Sequence, residues 1–470
     1  MFRADSFLIK ILCAFIFIRY FKLIQGRFMK YFYIFILLFV FSCAQEAEKK
    51  PGVTHPQWSK HKVIYELNIR QFSGDGSFKA VEQRLVSIKD LGVGIIWLMP
   101  VHPIGEKNRK GKLGSYYAVK DYYKVNPEFG SMADFKSLVN RIHELGMYVI
   151  LDWVANHTAW DNPLTQSNPD FYTKDSLGRF ISPVPGWHDV IDLNYTNREL
   201  WTYMINAMKF WVREAGVDGF RCDVAEMVPV EFWNRARQEL NKIKPVFMLA
   251  EGEKPYLHEK SFDMTYSWNL MHTMNQIASG KKNARSIDTL LWQEEKAYPA
   301  GALRMRFTTN HDENSWNGTV FERLDGGVKT FAVLCATLPG VPMIYSGQEV
   351  GMNKRLNFFD KDPIEWRINN FRRFYRRLLG LYPVHPALHK GDMDKIDTDN
   401  DDYIYAFQRS YKSKEIVVIL NLSGKEQSVR IESAAIKGKM LNFFTGHRVD
   451  YEGEHVFNMQ PWEYHLYLKD

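Results

Sequence analysis

Four short segments place chemically able side chains at fixed intervals. They are "DWVANH" (Asp152, Asn156, His157), "GFRCD" (Arg221, Asp223), "LAEGE" (Glu251, Glu253) and "FTTNHD" (Asn310, His311, Asp312). Carboxylates and imidazoles gathered in this way can move protons, and a carboxylate can also attack carbon. Arg221 and Asp223 are two residues apart at the end of what reads as a buried strand, so they share a face. Buried charge is costly unless it is paired or put to use. A lone carboxylate at a strand end is often only a helix cap or a loop salt bridge, but four such segments together point to a shared rim.

The elements that would carry this rim are strands alternating with helices. Eight apolar runs appear: "VIYELNI", "GIIWLMP", "MYVILDW", "VDGFRCD", "VFMLAE", "FDMTYSW", "LRMRFTT" and "VPMIYSG". Helical patterns such as "MADFKSLVNRIHELG" and "ELWTYMINAMKFWVREAG" lie between them, and Gly146, Gly216 and Gly340 mark helix ends. Eight β–α alternations predict an α/β fold, a (β/α)8 barrel over residues 62–385 with its chemistry at the C-terminal ends of the strands. No Gly-rich phosphate loop follows the first run, which argues against a doubly wound sheet. Residues 158–195 lose the period and predict a loop subdomain after the third strand. From residue 386 to 470, runs such as "YIYAFQRS" and "EIVVILNLS" predict an antiparallel β-sandwich.

In order and spacing, the four segments resemble the signature regions of the α-amylase family of glycoside hydrolases (family 13). "VIDLN" resembles the family's extra region in the loop subdomain, and "GSYYAVKDYYKVNPEFG" its loop after strand two. The resemblance implies Asp223 as nucleophile, Glu251 as acid/base and Asp312 as transition-state stabiliser. It also implies substrate-binding roles for Tyr117, His157, Arg221, His311 and Asp152. The implied reaction is retaining hydrolysis of α-1,4 bonds in starch or maltooligosaccharides, in which one carboxyl attacks while the other protonates the leaving oxygen. Arg221 is expected to keep Asp223 ionised, and the apolar run before Glu251 to raise that group toward an acid's pKa. Glu253, on the same face, rivals Glu251, but strand length and the "LAE" pattern favour Glu251.

The chain departs from the family pattern in places. Many starch-cleaving members carry a Lys-His pair where this chain has Glu226-Met227, and members acting on cyclic dextrins often have "MPKLN" for "VIDLN". An exo-acting α-glucosidase, a cyclomaltodextrinase, a transglycosylase and a non-catalytic glycan-binding lipoprotein remain alternatives. Asn156 and Asp192 match positions where the family often binds a structural Ca²⁺; the alternative for Asn156 is a brace for the loop subdomain. Trp153, Trp187 and Trp316 could stack on sugars or pack the core. No organic cofactor is expected.

The net charge of +7 is uneven: six bases against Asp5 in the first 42 residues carry +5, leaving +2 for the rest. With no basic patch in that remainder, nucleic acid is not an expected partner. "MKYFYIFILLFVFSCAQ", from Met29, has the length of a signal sequence, and "VFSC" resembles a bacterial lipobox ending at Cys43. Residues 1–43 are therefore expected to be a lipoprotein signal, with 1–28 ahead of the true start, and 44–61 a tether. An exported monomer, lipid-anchored to the bacterial cell envelope at Cys43, is expected. Cys222 and Cys335 are expected as buried apolar residues rather than a disulfide.

Overall fold

In the computed structural model, which describes residues 52–469, eight strands made of the eight apolar runs close a ring. In chain order the ring strands are β1 (Val63–Leu67), β2 (Val93–Leu98), β3 (Tyr148–Trp153), β6 (Gly219–Cys222), β7 (Phe247–Ala250), β8 (Met264–Tyr266), β9 (Leu303–Arg306) and β10 (Val341–Tyr345), with β4 (His157–Ala159) and β5 (Val190–Asp192) lying outside it. The barrel order is β1-β10-β9-β8-β7-β6-β3-β2, and every neighbour pairs in parallel. A strand in such a ring is covered on both faces, so its residues read as continuous apolar runs rather than an alternation. β1, β2, β6, β7 and β10 are buried at every position.

Helices form where the caps and periods indicate. Met132–Glu144 starts on a Ser131–Asp134 capping box and buries Phe135, Leu138, Val139 and Ile142. Arg198–Glu214 starts on the Asn197 side chain, which accepts from the Glu199 N–H. β4 and β5 pair antiparallel, His157 opposite Asp192, and form the small sheet of the loop subdomain.

The C-terminal part comprises β11 (Asp392–Ile396), β12 (Ile404–Tyr411), β13 (Lys414–Asn421), β14 (Gln427–Glu432), β15 (Gly438–Asn442), β16 (Arg448–Tyr451), β17 (Glu454–Met459) and β18 (Tyr464–Lys469). A six-stranded antiparallel sheet, β11-β12-β13-β18-β15-β16, faces the two-stranded sheet β14-β17. Val417 and Ile419 of β13 pack into the core between these sheets, with Val429 and Ile431. The alternate residues Ile416, Val418 and Leu420 join the barrel's core. Burial on both faces is why "IVVIL" reads as a solid apolar run.

The expected signal, the start at Met29 and the Cys43 anchor lie outside the described residues. Part of the expected tether does not behave as one. Trp58 stacks on Tyr148 at 4.1 Å, and His55 bonds to Asp263 (2.9 Å) and the Gly301 carbonyl (2.8 Å). Two prolines and several polar residues masked one aromatic anchor and one buried-acid partner. Cys222 and Cys335 are buried free thiols.

The glycine of "GFRCD" has a steric cause. A Cβ on Gly219 would lie 1.9 Å from the Phe247 carbonyl oxygen, against which β6 pairs with β7. Gly219→Ala must therefore push apart the two strands that end in Asp223 and Glu251. We expect a loss of about 3 kcal/mol or more in urea unfolding, the scale of overpacking a core. A midpoint equal to wild type would show that the strands tolerate the methyl group.

Candidate active site

The barrel's register builds the site from beneath. β3 and β6 pair so that Asp152 lies beside Arg221 and Trp153 beside Cys222. Asp152 and Arg221 thus point into the barrel, whereas Trp153 and Cys222 point outward. Arg221 is fully buried and its guanidinium is shared. Nη1 donates to Asp152 (3.0 Å) and to Asp223 Oδ1 (2.9 Å), and Nε donates to the Tyr266 hydroxyl (3.1 Å). Nη2 lies 3.0 Å from Glu251 Oε2, an ion-pair contact without hydrogen-bond alignment. Trp97 covers the cation at 5.0 Å.

Asp152 is occupied on every side: Arg221, the Trp97 indole N–H (3.0 Å) and the Tyr117 hydroxyl (3.1 Å) all donate to it. It is fully buried beneath the cleft. The expectation that it binds substrate gives way to a role as the brace of Arg221 and Tyr117, because its lone pairs are already used.

The chain just after Asp223 is strained. Val224 sits at φ 35°, a left-handed conformation that a β-branched residue rarely adopts. That turn aims the Val224 N–H at Glu251 Oε2, 2.7 Å away. Asp312 opens a single π-helical turn, Glu313–Asn317, an irregularity frequent where side chains must be aimed.

Two histidines differ in charge. Burial pushes His157 down to about 4, leaving it neutral. The Asn156 amide lies 3.3 Å from His157 Nδ1 and donates to it, so the Nε2–H is free to donate into the site, 4.0 Å from Asp223 Oδ2. His311 is held between Glu66 (2.5 Å from Nδ1) and both Asp312 (3.2 Å) and the Tyr117 hydroxyl (2.8 Å) at Nε2. Burial opposes its charge, but the Asp312 and Glu66 carboxylates outweigh burial and hold the imidazole well above its usual range.

The expectation that Arg221 keeps Asp223 ionised is corrected. Burial and the adjacent Glu251 carboxylate push Asp223 well above the usual carboxylate range, against the pull of Arg221. Burial also raises Glu66 and Asp152, while His311 beside Asp312 outweighs burial and lowers that carboxyl. Glu251 Oε2 lies against Arg221 and accepts from the Val224 N–H.

The cleft above the cluster has a volume of about 340 Å³, and Asp223, Glu251, Asp312, Tyr117 and His157 all line it. Arg221 and His311 lie behind this lining. Glu253 points away, bonded to Arg304 (2.7 Å) and the Asn269 N–H (3.2 Å), which leaves Glu251 as the carboxyl in the cleft. Trp187 and Trp316 line the cleft, while Trp153 is core. Tyr117 lies parallel to His311 (5.4 Å) and Phe358 (6.3 Å). Glu226 accepts from the Glu253 and Lys254 N–H groups and shapes the loop beyond Glu251.

Asn156 and Asp192 supply one amide and one carboxylate. Ca²⁺ takes six to eight oxygens, and among the described residues no three His, Cys, Asp or Glu side chains gather as a metal site. The Asn156 side chain also bonds to His157 Nδ1. Sequence reasoning missed Glu66, Lys110, Asp189 and Phe358. Only Glu66 left a signal, as one acid inside an otherwise apolar strand.

A family model described as "Alpha amylase, catalytic domain" matches residues 57–176 and 186–377. The chain is similar to a noncanonic maltogenic α-amylase from Thermotoga neapolitana, with 32% identity, 87% of this chain and 99% of that one covered, and a TM-score of 0.81. An α-amylase from Lactobacillus plantarum matches at 31% identity, with 87% of this chain and 99% of that one covered, and a TM-score of 0.77. "Alpha-amylase 2" of Dictyoglomus thermophilum is 28% identical over 414 residues, 79% of this chain and 71% of that protein.

The Glu66–His311 pair gives a prediction with a definite sign. His311 has a raised folded pKa, so its contribution to stability is fully present below its unfolded value of 6.5 and is lost as pH rises through the folded value. Glu66→Gln removes one of the two charges that raise it. In histidine-labelled protein we expect the NMR titration of His311 to move to lower pH in this variant. An unmoved titration would show that Glu66 does not hold the charge.

Proposed function

The chain belongs to the α-amylase family of glycoside hydrolases, whose members are of retaining type, and on that premise we propose that it hydrolyses α-1,4-glucosidic bonds of starch or maltooligosaccharides through a covalent glycosyl-enzyme on Asp223. The observation that carries this reading is the sharing of one buried guanidinium by Asp223 and Glu251 at the floor of a sugar-sized cleft. Retaining enzymes hold their two carboxyls about 5–5.5 Å apart, and contact with one guanidinium keeps Asp223 and Glu251 in the same neighbourhood.

In this reading, Asp223 attacks the anomeric carbon while Glu251 gives its proton to the leaving oxygen. Glu251 Oε2 is held by Arg221 and Val224, so the proton to be donated sits on Oε1. This mechanism requires the proton on Glu251 and a bare Asp223 carboxylate at the moment of attack. Water then enters, Glu251 takes its proton, and the glycosyl–Asp223 ester is hydrolysed with net retention. Asp312, ordered by His311, favours the oxocarbenium-like ring, and His157 donates to a hydroxyl from its Nε2–H. Tyr117 supplies the stacking face.

The second reading, an exo-acting member, is supported by the likeness to the T. neapolitana maltogenic α-amylase. We further propose export with a lipid anchor at Cys43, resting on the apolar segment before it; Cys43→Ser would then release the protein from membranes in a detergent-partition assay.

Maltoheptaose and soluble starch given to residues 44–470 should both be shortened over time. Asp223→Asn and Glu251→Gln should each lose at least ~10³-fold in kcat, the scale set by nucleophile and acid/base losses. Full activity in Asp223→Asn would remove it from the nucleophile role.

A further inference from the structure

Lys110 lies in the long loop after β2, and its ammonium joins three loops over the cleft. Nζ is 2.8 Å from Asp189 Oδ1 and 2.8 Å from the Gly186 carbonyl, both in the loop subdomain. It also faces the Phe359 ring at 5.9 Å, in the loop after β10. That second junction is built into the backbone. The Leu113 N–H donates to the Phe359 carbonyl (3.0 Å), and the Lys112 N–H to Asp360 Oδ1 (3.0 Å). Gly111, at φ 61°, lets the chains meet: a Cβ there would lie 2.4 Å from that of Phe359. On the other side the Glu106 N–H donates to Asp161 Oδ2 (3.0 Å). The Asp189 side chain is 7% exposed and that of Lys110 22%, so the pair is largely shielded from water. Such a pair is worth more than the small energy of an exposed one.

The barrel order says which end of the cleft this wall closes. β2 and β10 flank β1 in the ring, β3, whose loop carries Asp189, lies beyond β2, and β7, which ends in Glu251, is diametrically opposite β1. The acid that protonates the leaving oxygen must stand on the leaving-group side. The wall therefore stands across the barrel mouth, on the side of the sugar that stays attached to Asp223.

We propose that Lys110 and Asp189 close the glycone end of the cleft, so that the protein takes the non-reducing ends of α-glucan chains and releases a short product of fixed length. This inference rests on the α-1,4 hydrolase reading above. It assigns Lys110 and Asp189 to specificity: they set how many glucose units fit beyond the cut, and they take no proton in the reaction.

The test uses maltoheptaose labelled at its reducing end, either free at the other end or capped there by a 4,6-O-ethylidene group. Wild-type protein should convert the free substrate early to one labelled product, shorter by one or two units. It should cleave the capped form at least ~10-fold more slowly, the scale on which a pocket rejects a misfitting group. Lys110→Ala, and independently Asp189→Asn, should narrow that ratio and spread the labelled products over several lengths. Turnover of the free substrate reports folding of each variant. Equal cleavage of capped and free substrate by wild type would overturn the proposal. So would an unchanged ratio in both variants, which would make the bridge a loop staple only. If wild type cleaves neither substrate, the α-1,4 hydrolase reading itself fails and takes this inference with it.

Discussion

One guanidinium holds the site together. Arg221 is fully buried, and its donors go to Asp152, Asp223 and Tyr266, with Glu251 at ion-pair distance. Removing it would leave three carboxyls facing one another in the dark of the barrel, a loss on the order of 3–5 kcal/mol by the usual cost of breaking a buried pair. Arg rather than Lys suits the place, because a flat fork can bind several oxygens at fixed angles and stays charged when buried. Even beside this cation, burial and the Glu251 carboxylate raise Asp223 above the usual carboxylate range.

The barrel makes this arrangement affordable. Parallel pairing fixes which residues stand side by side, and the β3–β6 register alone sets Asp152 against Arg221. Closure of the ring brings the end of β1 near that of β9, so Glu66 can hold His311 although 245 residues separate them. Local irregularities then aim the groups: the left-handed Val224 turns an N–H toward Glu251, and the π-helical turn follows Asp312. These features are strained or rare, and the stiff, fully buried strands hold them in place.

Much of this could be read from the residues in order. Groups at strand ends come in short contiguous segments, and a period of two says which of them share a face, so Arg221 with Asp223 was legible. The same rule turns Trp153 away from Asp152, and the structure buries it in the core. What escaped depended on contacts between distant segments. Glu66 stands out as one acid in an apolar strand, but its partner His311 is not visible until the ring closes. Lys110 reads as a solvated loop charge until three loops meet. The upward shift of Asp223 escaped for another reason: an adjacent Arg suggests a lowered pKa, but burial and neighbouring carboxylates count for more, and their number is not visible along the chain. Residues 52–61 looked like tether because their composition is polar, though Trp58 alone suffices to dock them.

The central claim is that the Arg221 cluster prepares Asp223 to form a bond to sugar carbon. The most direct measurement is trapping with a 5-fluoro-α-glucosyl fluoride, whose slow second step lets the covalent intermediate accumulate, followed by peptide mass mapping. The account predicts a single fluoroglucosyl adduct on Asp223, accumulating in Glu251→Gln as well, because fluoride needs little help to leave. An adduct on Glu251 or on any other carboxyl would contradict it, as would inactivation of the site with no adduct at all.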